Sequence, residues 1–171
     1  LSFGASPITV SLVAAVFTAA LLIWAAPHFL GFGGDTSGPA FALPRGVVLF
    51  IGILCFIVFL TEGAILDWSA VFLTFTRGAD PAHAGFGYAA FATTMTIGRL
   101  SGDAIVRRVS RTTIILVGGL LAASGLLVAT LVPSVTAAMI GFAMIGAGCS
   151  NIVPVLYSAI GKQTLMPESV A

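Results

Sequence analysis

Residues 46–72 read GVVLFIGILCFIVFLTEGAILDWSAVF, and this stretch decides the class of fold. Its only charged side chains are Glu62 and Asp67. An α-helix rises about 1.5 Å per residue, so roughly 20 apolar residues cross the ~30 Å hydrocarbon core of a bilayer. A transmembrane β-strand would instead alternate apolar and polar residues over about ten positions. The stretch therefore predicts a membrane-spanning helix.

Four further apolar runs predict spanning helices of the same kind. They cover residues 7–26, about 84–100, 113–132 and about 135–160. Pro27 and Pro133 directly follow two of these runs, and a residue without an N–H ends a helix. The predicted fold is an all-α membrane protein, a polytopic transmembrane helical bundle of five spans.

The composition also indicates a protein that lies in lipid. Of its 171 residues, 58% are hydrophobic and 8% are charged, whereas soluble domains are about a quarter charged. Seven Lys and Arg against six Asp and Glu leave no basic excess for nucleic acid. The sequence contains no Walker loop, no G-x-S-x-G elbow and no cluster with metal-ligand spacing. We therefore expect the bilayer as a partner, and no enzyme, cofactor, metal site or nucleic-acid partner.

The basic residues predict the orientation of the bundle, because cytoplasmic loops carry an excess of Lys and Arg. With five spans, Arg77 alone falls on one side. The others fall on the second side: Arg45, Arg107, Arg108, Arg111 and Lys162, with Arg99 at that end of its helix. The second side is expected to be cytoplasmic, and it includes the Gly/Pro-rich segment 31–45. An extracytoplasmic start then favours a piece of a longer protein that begins before an even-numbered helix.

Two acidic residues lie inside the second span, where a charge costs roughly 2.5–3.5 kcal/mol at the bilayer centre. Counted from Gly46, Glu62 lies about 24 Å and Asp67 about 31 Å along the helix. This predicts Glu62 in the outer third of the membrane and Asp67 near its boundary. We interpret Glu62 as a proton-coupling or substrate-binding residue, with a structural hydrogen bond as the alternative. Asp67 is a further candidate, with a water-exposed interfacial carboxylate as the alternative.

Residues that weaken helices stand beside polar groups in two spans. Gly63 follows Glu62, and Pro154 cannot donate a hydrogen bond to the carbonyl of Ser150. We therefore expect helix kinks at Gly63 and near Pro154. Ser150 and Asn151 offer polar groups at the second kink, and interrupted helices are where transporters bind solutes. Both are candidate substrate contacts, with a kink satisfied locally by Ser150 as the alternative.

The segment 98–111, GRLSGDAIVRRVSR, predicts a tight turn between two spans because of its glycines. Asp103 stands among four arginines, which suggests a salt bridge that forms in one conformation and opens in another. A basic loop that only sets topology is the alternative. The candidate gating residues are Gly98, Arg99, Gly102, Asp103, Arg107, Arg108 and Arg111.

Small residues form a stripe on the fourth span, at Gly118, Ala122, Gly125 and Ala129. In lipid, small residues let two helix backbones approach closely. The stripe predicts packing within the bundle, with dimerisation as the alternative.

Segment 98–111 resembles the loop motif G-x-L-x-D-R-x-G-R of the major facilitator superfamily, which stands between helices 2 and 3 and again between helices 8 and 9. It departs from that motif at three points. Asp103 stands five residues after Gly98 rather than four, no basic residue directly follows it, and Ser110 replaces the usual glycine. Residues 62–71, EGAILDWSAV, and 150–154, SNIVP, are similar to a bacterial inner-membrane branch near the fucose-permease-like carriers.

The resemblance implies that the five spans correspond to helices 6 to 10 of a twelve-helix fold. Residues 1–30 would then hold the last helix of the N-terminal half and residues 31–45 the cytoplasmic central loop. Residues 46–171 would hold the first four helices of a truncated C-terminal half. The gating role of the loop carries over most directly to Gly98, Asp103 and Arg111.

The same resemblance implies a multi-pass protein of the bacterial cytoplasmic (inner) membrane. It would move a small solute by alternating access, coupled to protons, with the remaining helices of the full-length chain as partners. Sugars are the solute class that the similar branch suggests. Two alternatives stay open: a carrier of another fold, and a non-transporting multipass membrane sensor or scaffold.

Overall fold

The computed structural model describes residues 6–28 and 45–161, in two units that are treated separately. The unit Leu1–Gly38 contains α1 (Pro7–Ala25) and a short 3-10 turn (Ala26–His28). The unit Pro39–Ala171 contains the helices α2 (Val47–Val71), α3 (Phe86–Leu100), α4 (Gly102–Arg108), α5 (Arg111–Leu131), α6 (Val135–Cys149) and α7 (Ile152–Ile160). The described residues contain no β-strand, and the prediction of an all-α membrane helical bundle is confirmed.

Four helical segments among the described residues are long and apolar enough to cross a membrane: Ile8–Ala25, Val47–Thr76, Arg111–Leu131 and Val135–Ile160. The span expected at 84–100 is shorter, because α3 has 15 residues and is about 22 Å long. It still lies inside the bundle. The end of α3, at Arg99, contacts Glu62 in the middle of the segment Val47–Thr76. The start of α3, at Gly87, contacts Leu73 near the end of that segment, so α3 and α2 run antiparallel. The helix α3 runs parallel to α6.

The α2 segment is longer than the sequence predicts. A π-helical turn, Phe72–Thr76, continues α2, so the whole segment has 30 residues. The segment ends just before Gly78, whose φ of 70° is a conformation that favours glycine. Glu62 therefore lies at the middle of this segment, further from its end than the count from the sequence indicates, and its depth in the membrane stays a prediction. Asp67 lies about 13 Å from the end of the helical segment.

The stripe of small residues on α5 packs against α6, as predicted. A Cβ added to Gly118 would lie 2.5 Å from the carbonyl oxygen of Gly148, and one added to Gly125 would lie 2.5 Å from that of Gly141. No ordinary side chain fits in such a space, so the two backbones are in direct contact. Gly146 of α6 meets the backbone of α3 in the same way. The helices α3, α5 and α6 therefore form one tightly packed group.

The core of this unit lies between α2, α3 and α6 and continues along α2 to α7. Leu73, Phe91, Phe142 and Ile145 are at most 4% exposed there. Many large apolar side chains lie instead on the outer faces of the helices, where a membrane protein meets lipid or further helices.

Candidate functional site

A cleft separates α2 from α3 beside the middle of the long α2 segment. Its volume is about 380 Å³, and one face of each helix lines it. The lining residues within each helix are three or four positions apart, or adjacent, which places them on one face of that helix. The lining residues are Phe59, Glu62, Gly63 and Leu66 from α2, with Tyr88, Phe91, Ala92, Met95, Thr96 and Arg99 from α3. The walls are thus mostly apolar, and the two charged groups face each other across the cleft.

Glu62 and Arg99 form an ion pair that joins α2 to α3. The Nη2 atom of Arg99 donates to Oε1 of Glu62 at 3.3 Å and to Oε2 at 3.4 Å. Tight charge-assisted hydrogen bonds are about 2.7–2.9 Å long, so this pair is loose. The side chain of Glu62 is 21% exposed and that of Arg99 is 48% exposed. Across residues 6–28 and 45–161 no other ion pair is formed.

The guanidinium of Arg99 has hydrogen-bond donors that no described residue accepts. Within the described part of the chain, Arg99 hydrogen bonds only to Glu62, and only through Nη2. A guanidinium also carries N–H donors on Nε and Nη1, and each of them pairs with Nη2 along one edge of the plane to form a fork that matches a carboxylate. Glu62 likewise accepts from Arg99 alone among these residues. Both charged groups can therefore bind a further polar group without losing another contact.

A helix break between α6 and α7 is hydrogen-bonded to the end of α3 that carries Arg99. The break consists of Ser150 and Asn151, and α7 begins at the next residue. Nδ2 of Asn151 donates to the carbonyl of Gly98 at 2.8 Å and to the hydroxyl of Ser150 at 3.1 Å. The Ser150 hydroxyl donates to the carbonyl of Ala147 at 2.7 Å. Ser150 is 2% and Asn151 8% exposed, so both bond to protein here rather than line the cleft.

Two glycines make this junction possible. A Cβ at Gly98 would collide with the side chain of Ser150, and one at Gly102 would collide with Oδ1 of Asn151. Helix depths counted from the sequence separate Asn151 from Glu62, but the structure connects them through residues 98 and 99 of α3. Pro154 lies in the first turn of α7, just after the break.

A second cavity lies on the other side of Arg99, at the end of the bundle that carries Arg107, Arg108 and Arg111. We call this cavity the basic-end cavity. Its volume is about 260 Å³, and its lining includes Arg99, Gly102, Asp103, Arg111, Asn151 and Pro154. Asp103 is exposed and forms no ion pair within the described ranges, so the expected salt bridge to an arginine is not formed in this structure. Arg99 thus borders both cavities.

The other two candidate residues of α2 are Asp67 and Gly63, and only Gly63 lines the cleft. Asp67 is exposed, and it lies five residues after Glu62, which is about 140° around the helix. It lines neither the cleft nor the basic-end cavity. Gly63 does line the cleft, but α2 continues unbroken through it. A Cβ added at Gly63 would meet nothing within 4 Å.

Sequence reasoning missed the contacts of Arg77, which it used only as a mark of topology. Nη2 of Arg77 donates to the carbonyls of Ala129 at 2.8 Å and Thr130 at 2.6 Å, in the last turn of α5. Its guanidinium also lies 4.8 Å from the centre of the Phe72 ring. A cation at these carbonyls complements the negative end of the helix dipole. The signal in the sequence was an arginine directly after one span while the α5 span has no basic residue in its last turn.

The chain is similar to proteins named as transporters or membrane proteins. It is 48% identical over 169 residues, 98% of this chain, to an uncharacterized MFS-type transporter of Yersinia pestis. It is 31% identical over 149 residues, 86% of this chain, to the membrane protein MosC of Rhizobium meliloti. It is 28% identical over 137 residues, 80% of this chain, to an uncharacterized transporter of Sinorhizobium fredii.

The chain spans less than half the length of these curated relatives: 44%, 37% and 36% respectively. No family model matches it, and no solved structure matches it. The names of the relatives support a transporter family and favour a transporter over an enzyme. Together with the four membrane-competent helices among the described residues, they support a multi-pass membrane location.

Proposed function

We propose that the full-length protein is a proton-coupled carrier of the major facilitator superfamily that moves a small organic solute across the bacterial inner membrane by alternating access. Residues 1–30, 31–45 and 46–171 then hold the last helix of the N-terminal half, the central cytoplasmic loop and the first four helices of the C-terminal half. The name of the Yersinia relative and the motif at 98–111 support this family.

The loose ion pair between Glu62 and Arg99 is the observation that carries the proposal. A carboxylate at the middle of a long apolar helix is costly unless it has a partner, and such residues mark ion and proton paths in membrane proteins. Here the partner is held at 3.3 Å across a cleft rather than in a closed core. A proton on Glu62 removes the charge that attracts Arg99 and so weakens the link between α2 and α3.

Arg99 connects this event to the proposed gating segment. The same guanidinium borders the basic-end cavity, where Asp103 has no ion-pair partner among the described residues. Once a proton on Glu62 removes the charge that attracts Arg99, the guanidinium can turn towards Asp103. We assign Ser150, Asn151, Gly98 and Gly102 the positioning of this end of α3. We assign Asp67 no role in coupling.

Because the solute is unknown, the test uses a mixture. Proteoliposomes that contain the full-length protein are given a proton gradient and a filtered bacterial extract, and the solutes that accumulate inside are identified by mass spectrometry. We expect at least one solute to accumulate in a way that a proton ionophore abolishes. Glu62→Gln should lose this uphill accumulation but keep exchange of labelled for unlabelled solute, since exchange needs no net proton movement. Asp67→Asn, a carboxylate change on the same helix but outside the cleft, is the matched control.

Three outcomes would contradict the proposal. If Glu62→Gln accumulates the solute in a gradient-dependent way like the unaltered protein, Glu62 is not the coupling residue. If the ionophore has no effect on the unaltered protein, transport is not proton-coupled. If nothing accumulates and no exchange occurs, the alternative of a non-transporting membrane protein is favoured.

A further inference from the structure

We propose that the cleft between α2 and α3 is the solute site, and that its solute is a small carboxylic acid with an amino or hydroxyl group beside the carboxylate and an apolar body. This inference rests on the proposed transport function and adds a substrate class to it. It departs from the sugar that the sequence resemblance suggests.

The carboxylate is inferred from the donors of Arg99. The guanidinium is 48% exposed, and its Nε and Nη1 donors have no partner among the described residues. Carboxylates bind a guanidinium through two parallel hydrogen bonds, a geometry that a neutral hydroxyl cannot reproduce with the same strength. A solute carboxylate can therefore bind Arg99 through Nε or Nη1, which Glu62 leaves unoccupied, and complete the pair of hydrogen bonds by sharing Nη2 with Glu62.

The neighbouring donor is inferred from Glu62. Its carboxylate accepts only from Arg99, at 3.3 and 3.4 Å, although two carboxylate oxygens offer about four acceptor positions. An ammonium or hydroxyl group of the solute can occupy those positions. A solute with two negative charges would be repelled by Glu62, and a neutral polyol would leave Nε and Nη1 of Arg99 without a charged acceptor. The pair of groups therefore selects a monocarboxylate that also carries a donor.

The apolar body is inferred from the walls. Phe59 and Leu66 face Phe91, Ala92 and Met95 across the cleft. The volume of about 380 Å³ falls within the range of small-ligand pockets, roughly 300–1,000 Å³. Aromatic and aliphatic side chains bind apolar groups by removing their surface from water. An apolar amino acid or hydroxy acid satisfies the two charged groups and the walls together.

The test measures binding of defined compounds to the purified full-length protein by titration calorimetry. The probes are L-leucine and L-phenylalanine, their hydroxy-acid analogues, their amides, and L-fucose as a neutral sugar. We expect an amino acid or hydroxy acid to bind at least about tenfold more tightly than its amide, because the amide leaves the Arg99 fork unpaired. L-Fucose should show no binding.

The variants separate recognition from folding. Arg99→Gln should abolish the preference for acid over amide, whereas Arg99→Lys, which keeps the charge but not the fork, should retain the preference at lower affinity. Arg45→Gln changes an exposed arginine outside both cavities and should bind like the unaltered protein. Each variant is first checked for a single monodisperse species, so that a loss of binding is not a loss of fold.

The substrate class is wrong if no acid in the panel binds, if an amide binds as well as its acid, or if L-fucose binds equally to the unaltered protein and to Arg99→Gln. These outcomes leave the transport proposal standing whenever the extract experiment still shows Glu62-dependent accumulation. Conversely, an acid that binds through Arg99 but never accumulates supports the site and contradicts the transport proposal.

Discussion

Arg99 and Glu62 are 37 residues apart in the chain, yet their side chains meet at the middle of the α2 segment. Arg99, which the sequence groups with the basic residues at one end of the bundle, therefore faces Glu62 half-way along a spanning helix. Because α3 is only 15 residues long, its last turn reaches the middle of α2 rather than the end. The short helix thus places a guanidinium between two cavities.

We expect Glu62 and Arg99 to be coupled in stability. Either Glu62→Gln or Arg99→Gln alone leaves a single charge in apolar surroundings, whereas the double variant leaves none. The double variant should therefore be more stable than the two single losses added together predict, by roughly 0.5–3 kcal/mol. Denaturation of the full-length protein in detergent measures this double-mutant cycle. Strictly additive losses would show that the pair contributes nothing to the fold.

We expect Arg77 to stabilise the contact between the end of the α2 segment and the end of α5. Arg77→Gln removes the charge that faces the carbonyls of Ala129 and Thr130, at 2.8 and 2.6 Å. The loss should be about 1–3 kcal/mol, because hydrogen bonds with a charged partner contribute more than neutral ones. Arg77→Lys should recover part of it. The midpoint of thermal unfolding measures the effect, and a midpoint for Arg77→Gln equal to that of Arg45→Gln would contradict it.

Substitution at Gly125 should be damaging, while substitution at Gly119 should not. Both glycines lie on α5, but a Cβ at Gly125 would lie 2.5 Å from the carbonyl oxygen of Gly141, and one at Gly119 would meet nothing within 4 Å. Gly125→Ala forces two backbones apart and should cost about 1–3 kcal/mol. Gly119→Ala should be neutral or slightly stabilising, since alanine favours a helix. The yield of monodisperse protein and its unfolding midpoint compare the two, and equal midpoints would rule out the described packing of α5 on α6.

Asn151 should act by positioning Arg99. Asn151→Ala removes the buried side chain that donates to the Gly98 carbonyl at 2.8 Å, and leaves that carbonyl the Ser101 hydroxyl, at 3.1 Å, as its side-chain donor. We expect a loss of about 1–3 kcal/mol in stability and weaker solute binding, with the preference for acid over amide retained because Arg99 is still present. Ser158→Ala, which removes an exposed hydroxyl of α7, is the control. If Asn151→Ala erased the acid preference as Arg99→Gln does, Asn151 would have to contact the solute itself.

Substitution of Asp103 should slow solute uptake more than it weakens solute binding. It borders the basic-end cavity with Arg99 but does not contact the cleft, so Asp103→Asn should leave the Kd of the solute within about twofold of its original value. Uptake should slow by about tenfold, because Arg99 then has no charged partner when it leaves Glu62. Parallel measurement of the Kd and of the initial uptake rate separates the two effects. A large rise in the Kd at an unchanged uptake rate would contradict a gating role.

The helical bundle could be predicted from the sequence because long apolar runs and prolines are local signals. Glu62 could be singled out for the same reason, since a charge inside such a run is conspicuous. Its partner could not, because the meeting of Glu62 with Arg99 depends on the register in which α2 packs against α3. The position of Glu62 within its helix was also not predictable, because the helix continues past Phe72 through a π-helical turn that no single residue marks.

At the break between α6 and α7, the sequence predicts the polar residues but not the direction of their side chains. The sequence indicates that Pro154 disturbs the helix and that Ser150 and Asn151 stand beside it. It does not indicate whether their polar groups turn towards a solute or towards the protein. That choice is made by the end of α3 and the start of α4, because Gly98 and Gly102 have no side chains and let Ser150 and Asn151 approach the backbone there.

The long α2 segment is held at both ends and borders an open cleft only in its middle. At one end Leu73 is 1% exposed against α3 and Arg77 bonds to α5, and at the other Val48 and Ile51 are buried where α2 packs on α7. The cleft separates the middle of the segment from α3. Glu62 lies about 21 Å from the Arg77 end, so a bend of only about 10° in that stretch displaces its carboxylate by up to roughly 4 Å. That displacement exceeds the 3.3 Å between Glu62 and Arg99. A small bend of one helix is therefore enough to break the ion pair, while the glycine contacts of α3, α5 and α6 stay closed.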